Sequence, residues 1–263
     1  MQIFVTSVGI AGPGLDGWAN THPILTGQSA YRMTPFSRSI PDILSAAERR
    51  RSSQAVRLAI LAAQDALKAG DLRGEELATV FASSDGDGVI TQDICESLAG
   101  SAREVSPTSF HNSVYNAPAG YWSIATHSKL ASTSVCAYDV SFAAGLIEAA
   151  SYATVERQPV MLIASDLPFP PPLHVIRPVE ESLAIALLIS PTARKASLMR
   201  WEIQFKPHGA ITAFPTGLPE SLRSNPAARG LPLLAALANR TDETVSLEYS
   251  DETDLVVLCE PGA

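Results

Sequence analysis

The sequence predicts an α/β fold, with helices layered around a mostly parallel sheet. Short apolar, β-branched runs alternate along the chain with segments of helical periodicity. The run SLAIALLI, residues 182–189, is apolar throughout, as a strand covered on both faces must be. The stretch from Ser106 to Asp166 carries helix, strand, helix and strand in succession, with Cys136 at the turn between the first strand and the second helix.

Taken in order, Gln2 to Ile10 alternates and is rich in β-branched residues, which predicts a central strand ended by AGPGLDG. The glycines of that break, Gly12, Gly14 and Gly17, lack the spacing of a dinucleotide fingerprint and are read as a tight turn. A short helix is expected over Asp16 to His22, and a proline-bearing loop over Thr26 to Ile43. Glu48 to Gly70 is the clearest helix: Val56, Ile60, Ala63 and Leu67 share one face, and Gly70 stops it. The run Glu48-Arg49-Arg50-Arg51 opposes the dipole at a helix N-terminus. It is read as a solvated loop with Ser52 or Ser53 as the cap, or else as a docking point for a phosphopantetheinyl carrier. Thr79 to Ser83 is a short strand ended by DGDG. Asp85 and Asp87 lack the distal glutamate of a calcium loop, so a turn is expected there.

The central unit follows, with a helix over Ser113 to Thr126 and a strand over Ala131 to Cys136. A small-residue helix over Val140 to Val155 and a strand over Pro159 to Ser165 complete it. DLPFPPPLH is too rich in proline for regular structure. Further strands are expected at Ser182 to Ile189, Leu198 to Phe205 and Leu255 to Cys259, and short helices at Leu218 to Leu222 and Leu231 to Leu237.

Hydrophobic residues make up 46 % of the 263 residues and charged residues only 17 %. That is little charge for a lone monomer, so part of the surface is expected to be covered by a partner. A net charge of −8, with no basic run beyond Arg49–Arg51, argues against nucleic acid and anionic membranes as partners. Cys95, Cys136 and Cys259 are odd in number and show no paired spacing, so neither a disulfide framework nor a zinc site is implied. Cys95 and Cys259 are read as core residues. No signal peptide and no apolar run near the ~20 residues of a membrane span is read, so a reducing cytoplasm is expected.

The order of these pieces resembles a known family. NSVYNAPAGYWSI followed by STSVCAYD and a small-residue helix is similar to the middle of the β-ketoacyl synthases, the thiolase-like condensing enzymes. QIFVTSVGIAGPGLDGW resembles their opening strand and loop, and FASSDGDGV their second glycine-rich strand end. The likeness covers about Met1 to Ser190 and is closest, through FHNSVYNAPAGYWSIAT, to chain length factors of polyene and aryl polyene biosynthesis. It implies a thiolase-like half with a mostly parallel five-stranded sheet, in a single domain over residues 1–263 with a short C-terminal extension. It further implies a non-catalytic subunit that pairs with a full-length ketosynthase, shapes the acyl tunnel and meets acyl carrier protein through the complex. No cofactor and no metal are expected.

By this resemblance Cys136 falls at or beside the nucleophile position; an offset of one residue would place Ala137 there. Tyr138 and Asp139 stand where the family has small residues, and an aspartate near a thiol raises its pKa. Cys136 is therefore read as a buried, inert cysteine. Condensation also needs enolate-stabilising groups, two histidines or a His–Asn pair from the second half of the family. After Ser190 this chain has one histidine, His208. Phe110, Tyr115, Tyr121 and Trp122 surround the central helix, and at least two of them must be core. Phe110, Val114, Tyr115 and Asn116 fall where the resemblance places interface and tunnel residues. The rival reading is a free-standing acyltransferase or hydrolase using Cys136 with His111 or His127. A homodimeric acyl-binding scaffold is a third.

Overall fold

The computed structural model describes residues 1–36, 40–70 and 72–262. The first part contains β1 (Gln2–Gly12), β2 (Leu15–Asp16), α1 (Trp18–Leu25), α2 (Ala46–Arg51), α3 (Gln54–Ala69) and β3 (Ala78–Ala82). Next come α4 (Gly88–Ala99), α5 (Pro107–Asn112), α6 (Ala117–Thr126), β4 (Ser132–Val135), α7 (Ser141–Glu156) and β5 (Val160–Asp166). The chain ends with α8 (Leu173–Ile176), β6 (Leu183–Ser190), β7 (Met199–Pro207), α9 (Glu220–Arg223), α10 (Leu231–Asn239), β8 (Glu243–Glu248) and β9 (Thr253–Pro261).

All strands join one sheet in the order β4-β3-β5-β6-β1-β7-β9-β8, with β2 paired to β1. The first five form the expected five-stranded unit. β3 is parallel to β4 and to β5, and β6 is antiparallel to both β5 and β1. Four of the five strands therefore run one way and β6 alone opposes them. The sheet does not stop at five strands, however. β7, β9 and β8 extend it antiparallel beyond β1 to nine strands in all. The β8 strand went unpredicted, although Val245 and Leu247 alternate inward along it.

The sheet separates two cores. α7, α10 and the 3-10 turn Pro226–Gly230 pack on one face, over Val5, Val80, Leu162 and Ile185. α3 and α6 pack on the other, over Phe81, Met161, Ile163 and Leu188. β6, between them, is buried at every residue. Two glycines set how close these layers come. A Cβ on Gly9 of β1 would lie 2.0 Å from the Ala62 carbonyl oxygen of α3. One on Gly145 of α7 would lie 2.7 Å from Ala82 Cβ and 2.8 Å from Leu162 Cδ1. The facing α3 residues Ala59, Ala62, Ala63 and Ala66 are fully buried, so small side chains on both sides allow backbone-close packing.

The local differences from expectation have local causes. Arg49–Arg51 lie in the last turn of a separate helix, α2, and not at the start of α3. Cations are favourable at that end. Ser45 and Glu48 close a capping box on α2, and Ser53 caps α3 as expected. The helix expected over residues 113–126 is split. Pro118 fits only the first turn of a helix, so α6 starts at Ala117 and residues 113–116 form a connection from α5. The proline-rich segment holds one short helix, α8. Cys95 is exposed, not core, because α4 buries none of its residues; Cys259 is buried as expected. Part of the loop expected over Thr26 to Ile43 lies outside the described residues.

Adding one methyl at each close approach tests this packing. Gly9→Ala and Gly145→Ala are expected to lower unfolding stability by about 1–3 kcal/mol each. Gly120→Ala, on α6 with nothing within 4 Å of the added Cβ, should be neutral or stabilise by up to about 1 kcal/mol. Urea unfolding of the three variants reads the contrast; equal effects at all three would reject it.

Candidate functional site

The C-terminal ends of the parallel strands β3, β4 and β5 meet at one edge of the sheet, where α/β folds commonly place ligands. The apolar strands β3 and β5 both end in a Ser-Asp sequence, ASSD and IASD. Asp166, at the end of β5, is fully buried. Its Oδ1 accepts hydrogen bonds from Ser83 Oγ (3.0 Å), Ser84 N (2.7 Å) and Ser84 Oγ (2.7 Å). Its backbone carbonyl accepts from Asn225 Nδ2 at 2.9 Å, which ties the strand end to the 3-10 turn before α10. Burial raises the Asp166 carboxyl to about 6, against the opposing pull of those hydrogen bonds and of Arg177.

Cys136 follows β4. It is exposed, contrary to the buried position expected, because β4 ends at Val135 and the chain leaves the sheet there. Its thiol donates to the Ser84 carbonyl at 3.2 Å, a contact that uses the thiol proton. Beside it stands the Tyr115 hydroxyl. This phenol is pushed up to about 12, first by its hydrogen bond with Cys136, then by burial and by the negative potential of Cys136 and Asp85. It therefore stays protonated at neutral pH and offers no base. The Tyr115 ring rests on Gly86, where an added Cβ would meet it at 3.2 Å. Asp139 does not face the thiol as a free charge: it pairs with Arg177, and Arg229 lies 3.7 Å away.

Neither candidate histidine joins Cys136. His111, exposed on α5, makes an edge contact with the Tyr121 ring at 6.0 Å. His127 caps the C-terminal end of α6, beside the segment that enters β3, and so lies at the opposite end of the strands from Cys136. His208 follows β7, beyond the N-terminal end of β1, and bonds Asp254 at 2.9 Å. Among the described residues no hydrogen bond or ion pair links any of the three to Cys136.

Val114 and Tyr115 line a narrow cavity between α3, α6 and the strand ends, with Val56, Phe81, Val135 and Leu167 as its apolar walls. Its free space is only ≈ 30 Å³, room for about one water. Both side chains are also half exposed on their outer side, at 50 % and 49 %. Phe110, 69 % exposed, faces outward and does not line the cavity; Asn116 is exposed at the N-cap of α6. Tyr121 and Trp122 are core, as at least two of these aromatics had to be. Next to this site β4 is the last strand of the sheet, and among the described residues no strand pairs with its outer edge. A contiguous surface leads from it through α6 and α5 to α4, with Ile124, Phe110, Val89 and Leu98 exposed.

The β-ketoacyl synthase N-terminal domain model matches residues 28–250. The chain belongs to that family. A search of curated proteins finds no match. Among solved structures, a ketosynthase (ApeO) in complex with its chain length factor (ApeC) from Xenorhabdus doucetiae matches with a TM-score of 0.72. The identity is 20 %, over 98 % of this chain and 99 % of that one. The ishigamide ketosynthase/chain length factor gives a TM-score of 0.75 at 13 % identity, covering all of both chains. A type II polyketide synthase acyl-carrier protein in complex with its ketosynthase (AntDE:AntF) gives 0.74 at 12 %, covering 99 % of each. These likenesses show that the fold is the thiolase-like α/β fold of ketosynthases. In this member Ser83, Ser84, Arg177 and Asn225 complete the site, and sequence reasoning had singled out none of them. The repeated Ser-Asp ending of two buried strands was the available signal for the serines.

Protonation of Asp166 gives a measurable slope. A carboxyl whose folded pKa exceeds its unfolded 3.8 holds its proton more tightly when folded. Its contribution is full below pH 3.8 and is lost as pH rises through about 6. Asp166→Asn keeps an acceptor but no charge. Its stability relative to the parent should therefore climb between pH 4 and pH 7, by up to about 3 kcal/mol. A pH-independent difference in thermal unfolding would contradict this.

Proposed function

We propose that this chain is a chain length factor: a ketosynthase-like subunit that pairs with a full-length ketosynthase and closes the end of an acyl or polyene tunnel. The observation that carries this reading is the unpaired edge of β4 beside the exposed apolar surface of α4, α5 and α6. Open strand edges are templates for pairing, and apolar surface of this kind marks an interface. Obligate interfaces bury on the order of 2,000 Å² or more. The low charge fraction of the whole chain fits the same reading. Two of the similar solved structures are named with a chain length factor, and a third is a ketosynthase in complex with a carrier protein. An aryl polyene product is the specific case suggested by the sequence resemblance.

Catalysis is assigned to the partner. Cys136 has a hydroxyl donor beside it and no histidine hydrogen-bonded to it among the described residues. The cavity at Val114 and Tyr115 supplies the wall, because an acyl chain stops where packed atoms fill its path. Each further CH₂ that finds room gains about 0.8 kcal/mol. Forcing one into a filled wall costs about 1–3 kcal/mol. One two-carbon unit therefore decides between extension and release. Phe110, pointing outward, belongs to the interface, and so does Asn116.

Reconstitution with ketosynthase and carrier protein tests both assignments. Val114→Ala or Tyr115→Ala should lengthen the main carrier-bound product by at least one two-carbon unit, read by mass spectrometry. Cys136→Ala should leave the amount of product unchanged. Unchanged lengths in both wall variants, with the complex intact, would remove the tunnel role. Loss of product in Cys136→Ala with assembly intact would overturn the non-catalytic assignment.

A further inference from the structure

Two clefts in the C-terminal part of the molecule share Arg223 and Arg229. Neither shares a lining residue with the cavity at Val114 and Tyr115. The first, of ≈ 340 Å³, is cationic: Arg177, Arg223 and Arg229 line it, with Asp139 as its carboxylate. The second, of ≈ 260 Å³, is mainly apolar, walled by Ile211, Phe214, Pro232 and Leu247. Joined through the shared arginines, they fall within the ~300–1,000 Å³ of small-molecule sites.

The arginines retain capacity to bind. Arg177 uses Nη2 on Asp139, Arg223 uses Nη1 on Glu220, and Arg229 uses Nη1 on Glu248. Arg229 Nη2 lies 3.7 Å from Asp139 Oδ2, beyond hydrogen-bond range. Each guanidinium thus commits one nitrogen to a hydrogen bond among the described residues, where its fork offers five N–H donors. Aromatic faces orient two of them. Arg177 sits 3.8 Å from the Tyr138 ring centroid, and Arg223 sits 5.5 Å from that of Phe214. Phe214 also lines the apolar cleft, so one residue spans the change from charged to apolar lining.

The geometry points to these joined clefts as a binding site for an anionic amphiphile. Its phosphate or carboxylate head is held by Arg223 and Arg229, and its medium-length alkyl chain lies along Phe214, Ile211, Pro232 and Leu247. Planar guanidiniums suit either head, and the apolar cleft adds a contribution that inorganic anions cannot gain. The site lies apart from the wall and edge assigned above, so it stands or falls independently of the pairing with a ketosynthase.

Calorimetric titration of the isolated chain tests it, with octyl phosphate, octanoate, octanol and inorganic phosphate as probes. At least one of the two anionic amphiphiles should bind saturably at one per chain, at least about tenfold more tightly than octanol or phosphate. Whichever binds more tightly identifies the head. Arg223→Gln, at an exposed residue hydrogen-bonded among the described residues only to Glu220, should weaken that binding about tenfold and leave octanol unaffected. Phe214→Ala should weaken it as well, and Tyr115→Ala should not. Circular dichroism confirms that each variant is folded. Failure of both amphiphiles to saturate, octanol binding as tightly as they do, or folded Arg223→Gln binding unchanged would each overturn the proposal. Loss of binding in Tyr115→Ala would do so too, by placing the alkyl chain in the other cavity.

Discussion

Three hydrogen bonds converge on a single oxygen of Asp166, and its backbone carbonyl takes a fourth from Asn225. The ends of β3 and β5 and the turn before α10 are tied together through that residue. The serines it holds terminate β3, and the Ser84 carbonyl holds the Cys136 thiol. Asn225 also bonds the Glu181 carbonyl and accepts from Ala227 N, so the approach to β6 and the turn before α10 share the same anchor. A carboxyl with no water around it is tolerable only with such partners. The same burial that makes it demanding also makes it rigid.

The packing that supports this node differs on the two sides of the sheet. Gly9 and the alanines of α3 bring one helix to backbone contact, and Gly145 does the same for α7 on the other face. Toward β4, coverage runs out. α4 buries nothing, α5 is one short piece tied to α2 through Asn112 and the Arg51 carbonyl, and β4 has a bare edge. A chain with 17 % charged residues leaves few side chains to protect that edge. The gradient from backbone-close packing to uncovered apolar surface is the physical basis for placing a partner there.

Much of the fold was legible because burial leaves period. β1 and α3 carry it, β3, β5 and β6 show instead the continuous apolar run of strands covered on both faces, and each overlaps its expected position. α5 has too few apolar residues to show a stripe, and the Ile90, Ile94 and Leu98 stripe of α4 marks a helix but not a core, since α4 buries none of its residues. The broken helix before Ala117 was legible in principle from Pro118, whose ring fits only a first turn. The site was legible only in part. Its position at the strand ends followed from the order of elements, and Tyr115 and Val114 lie on the cavity. The exposure of Cys136 and the pairing of Asp139 with Arg177 did not follow. The pairing depends on Arg177, which comes from a proline-rich segment with no periodicity and reaches the turn only through the tertiary fold.

The central claim is that β4 and the adjoining helices form the face that a ketosynthase covers. Hydrogen–deuterium exchange of this chain, alone and after adding a full-length ketosynthase, tests it most directly. Amides of Ser132–Val135 and of segment 107–126 should exchange more slowly in the complex, while those of β8, at the far edge of the sheet, should not change. A stable complex in which β4 exchanges at its free rate, or protection confined to β8, would contradict it.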